Sequence, residues 1–280
     1  MTLAILLPLI AQVGPGGNLP QAPLAIPKPN SEAVAQTQTQ AQTDLLKDCL
    51  HRAMTRPSDA IEVAKNWLAS AKTMTDRAGA KQCHALALTR IEGWAEAAAL
   101  FLSARDDTPA NEADERARLA ALGGNAYLAA GDPAAALAAL DLALADTQTG
   151  LDATQRGAIQ IDRARALVAL ERPDEAAEAL ADARISAPDN HQAWLLSATL
   201  SRRQGQLPQA QAQIERAAEL FPVDPEIGLE AGVIAMLAGR EDAARKSWES
   251  VIRAGPGTLA AETAQGYLDQ LGPPAAPSGR

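Results

Sequence analysis

Between His191 and Pro222 the chain reads HQAWLLSATLSRRQGQLPQAQAQIERAAELFP, and its apolar residues return every three or four positions. That period gathers them on one side of a helix, so the stretch predicts two amphipathic helices joined at Gly205. Trp194 and Ala198 stand one turn apart in the first helix. Ala210, Ile214 and Ala217 alternate small, large and small in the second, and Pro222 prevents its continuation. The template returns at a shift of 34 residues in both directions. Upstream it is carried by Ala176, Leu180, Ala183 and Pro188, and downstream by Ala244, Trp248, Val251 and Pro256. A turn, a packing triad and a proline in register three times over mark an internal repeat.

Earlier copies follow the same rhythm at wider intervals. Ala60, Ala64 and Trp67 make the first triad, Ala97, Phe101 and Ala104 the second, and Ala136, Leu140 and Ala143 the third. The extra residues fall in the polar stretches Asp106 to Asn111 and Thr147 to Thr154, where loops tolerate insertion. Gly131–Asp132–Pro133 reads as the turn of the third pair. Gly205 and Gly239 suit the left-handed conformation that ends a helix. A final helix, Thr258 to Leu271, is expected to cover the last apolar face.

With Gly124 and Tyr127 at its small and aromatic positions, this pattern resembles the tetratricopeptide repeat family, and exported bacterial members of it in particular. The resemblance covers residues 44–271. It implies an all-α, right-handed superhelical solenoid of about six helix pairs plus a C-terminal capping helix. It also implies a non-catalytic scaffold that holds a peptide or partner protein in a concave groove. An accessory subunit of an envelope enzyme, or of a secretion or assembly complex, is the alternative, with the chemistry carried by the partner.

Composition narrows the choice. The chain is 47% hydrophobic yet only 3% aromatic, which suits closely packed alanine-rich helices better than sheets. A net charge of −9 disfavours nucleic acid as the partner, because phosphate binding requires a basic surface. Residues 1–13, MTLAILLPLIAQV, are apolar but too short to span a bilayer, and they fit the core of a signal peptide taken as residues 1–25. Residues 26–43 read as a disordered Pro/Gln-rich linker, and 272–280 as a disordered tail. The expected location is periplasmic or otherwise exported, without stable membrane insertion once the signal is removed.

Candidate chemistry is sparse. Cys49, His51, Cys83 and His84 supply the number of ligands a metal would need, but neighbours on a helix point to different faces. In the family the first helices of adjacent repeats pack side by side, so the resemblance favours a Cys49–Cys83 disulfide over free thiols or a metal site. Ala80 stands where haem attachment would require a second cysteine. GPGG at 14–17 lacks the Lys-Ser/Thr of a phosphate loop. Asp189–Asn190–His191 has no accompanying nucleophile and lies where Asp or Asn caps a helix. No catalytic residue, metal site or cofactor is assigned.

The family register places Asn125, Arg165, Thr199 and Val233 along one row of the groove. Ile161, Leu195 and Leu229 form the row beside it, and Arg202, Arg203 and Met236 lie one turn further on. The arginines would give the groove a basic centre suited to an acidic peptide; the alternative is that solvent or nearby acids satisfy them. The family's chaperone-tail clamp is matched at Asn125, whereas Asp162 and Leu196 replace its next asparagine and an arginine, so that specificity is not expected.

Overall fold

A computed structural model describes residues 31–146 and 152–272, and all of its regular structure there is helical. The expected signal peptide, the first part of the linker and the C-terminal tail lie outside the described residues. The chain divides into two units, 1–41 and 42–280. Of the first, the described part is the opening of a helix. The second contains the repeats.

The helices are α1 (Ser31–Thr55), α2 (Pro57–Ser70), α3 (Met74–Thr89), α4 (Trp94–Asp107), α5 (Ala113–Ala129), α6 (Pro133–Asp146) and α7 (Ala153–Ala169). After these come α8 (Pro173–Ser186), α9 (His191–Arg203), α10 (Leu207–Leu220), α11 (Pro225–Leu237), α12 (Glu241–Ala254) and α13 (Leu259–Leu271). From α2 onward each packs on its neighbour in sequence, and the first helices of the later pairs also touch across repeats, α5 on α7, α7 on α9, α9 on α11 and α11 on α13. Cys49 and Ala53 of α1 join Ala60 and Ala64 of α2 in one buried cluster. The result is a solenoid of helix pairs in which each repeat meets only those beside it.

One expectation needs correcting. The chain between Ser31 and Thr43 is helical, not an irregular linker. It contains alanine, glutamine and glutamate and no proline, so a helix that begins as packed structure can propagate backwards at little cost. Its side chains explain the misreading: from Gln40 to Asp48 they are exposed or half-buried, and the first buried one is Cys49. Packing therefore begins close to the predicted place, although the helix does not.

The triads occupy the core. Ala97, Phe101 and Ala104 are at most 1% exposed, and the corresponding residues of the later repeats are at most 4% exposed. Trp67 alone is half-buried, lying against Gly79. Close approach is clearest where a Cβ at Gly232 would collide with the indole nitrogen of Trp248, and where one at Gly124 would lie 2.6 Å from Leu140 Cγ. Asn190 and Asp224 accept bonds from the first backbone amides of α9 and α11, satisfying donors that a helix start leaves open. Arg245 donates to the carbonyls of Leu271 and Gly272 and thereby fastens the end of α13 to α12.

Within each pair from α3–α4 onward, the connecting turn uses one left-handed residue. At Gly131, Gly205 and Gly239 this is unstrained, but the same place is taken by Glu92 (φ 62°) and Glu171 (φ 58°). In each case the backbone closes identically: Arg172 N donates to Leu167 O just as Gln206 N donates to Ser201 O. A side chain in this conformation costs about 1–2 kcal/mol. Glu171→Gly should therefore raise stability by about 0.5–1 kcal/mol, allowing for the freedom glycine adds to the unfolded chain. Urea titration checks this; a loss of stability would show that the Glu171 side chain makes compensating contacts.

Candidate functional site

The first helices α7, α9 and α11 place the predicted row in two adjoining crevices. One is lined by Arg165 and Val168 of α7 and by Leu196, Thr199 and Arg203 of α9, among others. The next is lined by Thr199 and Arg202 of α9, Leu229 and Val233 of α11, and Tyr267 of α13. Thr199 belongs to both, with its hydroxyl bonded to the Leu195 carbonyl. Arg165, Thr199, Arg202, Arg203 and Val233 are thus brought together. Asn125 on α5 and Met236 near the end of α11 are exposed but line neither crevice.

The second predicted row is met at Leu195 and Leu229 and corrected at Ile161. Ile161 is 3% exposed and packs with Ala183, Ala193 and Leu196, while Leu195 is 6% exposed within the core of the fifth pair. Leu229 and the small open part of Leu195 line the second crevice, and Ile161 lines neither. Ile161 stands one turn before Arg165 on α7, where Ala183 of α8 and Ala193 and Leu196 of α9 pack against it.

The electrostatics also differ from a basic centre. Arg165 donates to Asp162 at 2.6 Å and to Gln192 at 2.7 Å. Arg202 is held by Glu230 at 2.6 Å, in a pair whose side chains are 21% and 12% exposed. Arg203 has no acidic partner among the described residues. The groove is consequently near neutral, with one free guanidinium and two that are oriented by carboxylates. The Asp162–Arg165 pair is three residues apart on one helix, a spacing the sequence displays openly. Glu230 could be paired with Arg202 only after α9 and α11 had been set side by side.

Tyr267 escaped the sequence reading, because α13 was assigned only a covering role. Its ring lies 5.0 Å from that of Trp248, so the cap both closes the core and contributes to the crevice. An aromatic residue in a chain this poor in aromatics was the available signal.

The two sulfurs are joined: Cys49 on α1 and Cys83 on α3 form a disulfide with Cα atoms 5.9 Å apart. Both thiols are therefore unavailable to a metal, and no cluster of three or more potential ligands occurs among the described residues. Burial pushes the pKa of neighbouring His84 down, favouring its neutral form. No helix among the described residues is long and apolar enough to cross a membrane.

The described helices thus form a repeat protein, a helix-pair solenoid with crevices on its first-helix face. The tetratricopeptide repeat model matches residues 161–207 and 196–257, and the solenoid has the fold of tetratricopeptide repeat proteins. PilF of Pseudomonas aeruginosa superimposes with a TM-score of 0.65 at 15% identity, covering 83% of this chain and 100% of its own. PilW, a widely conserved type IV pilus biogenesis factor, gives 0.65 at 17% identity, covering 81% and 99%. YrrB, a repeat protein with an unusual peptide-binding site, gives 0.50 at 20% identity, covering 67% and 91%. At these identities the likeness concerns the fold. No curated protein matches the sequence.

Proposed function

We propose that the protein is a non-catalytic scaffold of the cell envelope that holds an extended segment of a partner protein along its first-helix face. The observation that carries this reading is the continuity of two crevices through Thr199, with apolar walls from Val168, Leu196 and Leu229 and guanidinium groups at their edges. Such a surface combines area for burial with oriented donors for backbone carbonyls or carboxylates. YrrB supports the general idea of a peptide site on this fold. An exported location is supported by the Cys49–Cys83 bond, since disulfides persist in oxidising compartments.

Two variants test the groove in a complex captured from the native host. Arg165→Glu with Arg202→Glu removes two oriented donors but also breaks their ion pairs, whereas Arg203→Glu breaks none. Affinity for the captured partner is expected to fall at least about tenfold in both, which corresponds to about 1.4 kcal/mol. Normally folded variants with unchanged affinity and salt dependence would exclude the crevices as the binding site.

A further inference from the structure

A third crevice, of about 320 Å³, opens between α8 and α10, which α9 holds apart. Its character is different. The groove described above is walled by leucine and valine, but this one is lined with amides, hydroxyls and two charged side chains of α8, Asp174 and Arg184. Leu180 and Leu200 line both and form the partition between them.

Arg184 is the group that needs explaining. It is half-buried, its guanidinium lies 5.2 Å from the centre of the Trp194 ring, and no hydrogen bond or carboxylate satisfies it among the described residues. Its pKa is lowered by burial, with no acidic neighbour to oppose the shift. Most other arginines of the repeats have an acid at hand, Arg172 with Glu175 and Arg216 with Glu219 among them. The platform beneath Arg184 is fixed, because Trp194 Nε1 donates to the Pro188 carbonyl at 2.8 Å. A half-buried cation, oriented over Trp194 and left unpaired, is prepared for an anionic group from elsewhere.

The rest of the crevice fits a polypeptide backbone. Buried Ser201 donates to Gln213 Oε1 at 2.8 Å, which orients that amide with its NH2 group remaining to donate. Gln204 and Gln209 add further amides, each with both a donor and an acceptor, as a peptide unit has. Asp174, exposed and at the opposite end of α8, adds a carboxylate. Ten residues of helix separate Asp174 from Arg184, on the order of 15 Å. An extended chain at about 3.3 Å per residue covers that distance with four to five residues. A sugar would seek an open aromatic face, and no aromatic side chain lines this crevice.

We propose that this crevice is a second peptide site, taking an extended segment of four to five residues whose acidic group lies on Arg184. With the first-helix groove on the other side of the Leu180–Leu200 partition, the scaffold would hold two segments at once. This site stands or falls separately from the groove.

The probes are two synthetic pools of fluorescein-labelled nonapeptides, random at eight positions and carrying Glu or Lys at the fifth. Binding to the full chain is followed by fluorescence anisotropy. The wild type is expected to bind the Glu pool at least about tenfold better than the Lys pool, and Arg184→Glu to reverse that preference. Gln209→Ala, exposed and remote from the core, should weaken both pools severalfold. Circular dichroism and melting temperature verify that each variant is folded. Equal binding of the two pools by the wild type, or a folded Arg184→Glu that still prefers Glu, overturns the proposal. It is equally overturned if the Arg165→Glu, Arg202→Glu variant abolishes the Glu preference, since the acid is then read in the first-helix groove.

Discussion

Replacing Cys49 and Cys83 by serine should destabilise the N-terminal pairs by about 3–4 kcal/mol, a figure set by the loop that the bond closes in the unfolded chain. The bond spans 34 residues and ties α1 to α3, bracketing the whole of α2. The core it joins is slight: Ala53, Ala60, Ala64 and Ala87 surround the sulfurs, and none is a large side chain. Because a solenoid couples only neighbouring repeats, the loss should be local. Native-state hydrogen exchange is the suitable measurement, comparing reduced or serine protein with the oxidised form. Amides of α1 to α3 should exchange much faster, and those of α9 to α13 should keep their rates. A uniform acceleration along the chain, or none, would contradict this account.

At the other end, Trp248→Ala should cost about 3–5 kcal/mol, the usual range for truncating a buried large side chain. Trp248 is 3% exposed, rests over Gly232, faces Tyr267 and donates from its indole nitrogen to Leu229 O at 3.2 Å. Its removal opens a cavity, leaves a carbonyl without its partner and takes away much of the surface on which α13 sits. Gly232→Ala should also be damaging, by about 1–3 kcal/mol, because the added methyl overlaps the indole. The two effects must not add. With Trp248 absent the methyl has room, so the double variant should lie well below the sum, and thermal denaturation of the four proteins measures that coupling. Strict additivity would show that Gly232 and Trp248 do not share the same space.

These positions also show how much the sequence discloses. The triads of the repeats are separated by three and four residues, so one turn of helix brings them together whatever lies further off. That is why Ala210, Ile214 and Ala217 could be placed in the core by spacing alone. The turn was legible at Gly131 and Gly205 for the same local reason. It was hidden at Glu171, where packing on both sides imposes a conformation that the residue does not prefer. The groove was legible only in outline. Arg165 and Thr199 are aligned by the repeat register, but Glu230 reaches Arg202 across 28 residues, and such partners emerge only when helices are assembled. Ile161 was misplaced because the residues that cover it, Ala183 and Ala193, come from later helices and meet it only once these are packed. The length of α1 was underestimated because its first turns, SEAVAQTQTQ, contain no apolar residue larger than a valine, and hydrophobic periodicity has little to report there.

Glu171 has a bearing on how this protein could be improved in the laboratory. Its backbone is strained, and glycine there is a single-step gain in heat resistance. The same glutamate also lines a crevice with Arg203, the unpaired arginine of the first-helix face. Directed evolution under thermal selection alone would be drawn to that substitution. That substitution would erase a carboxylate from the rim of the proposed binding surface. A hardier scaffold would emerge whose discrimination between acidic and neutral partners had drifted, with no change elsewhere in the fold.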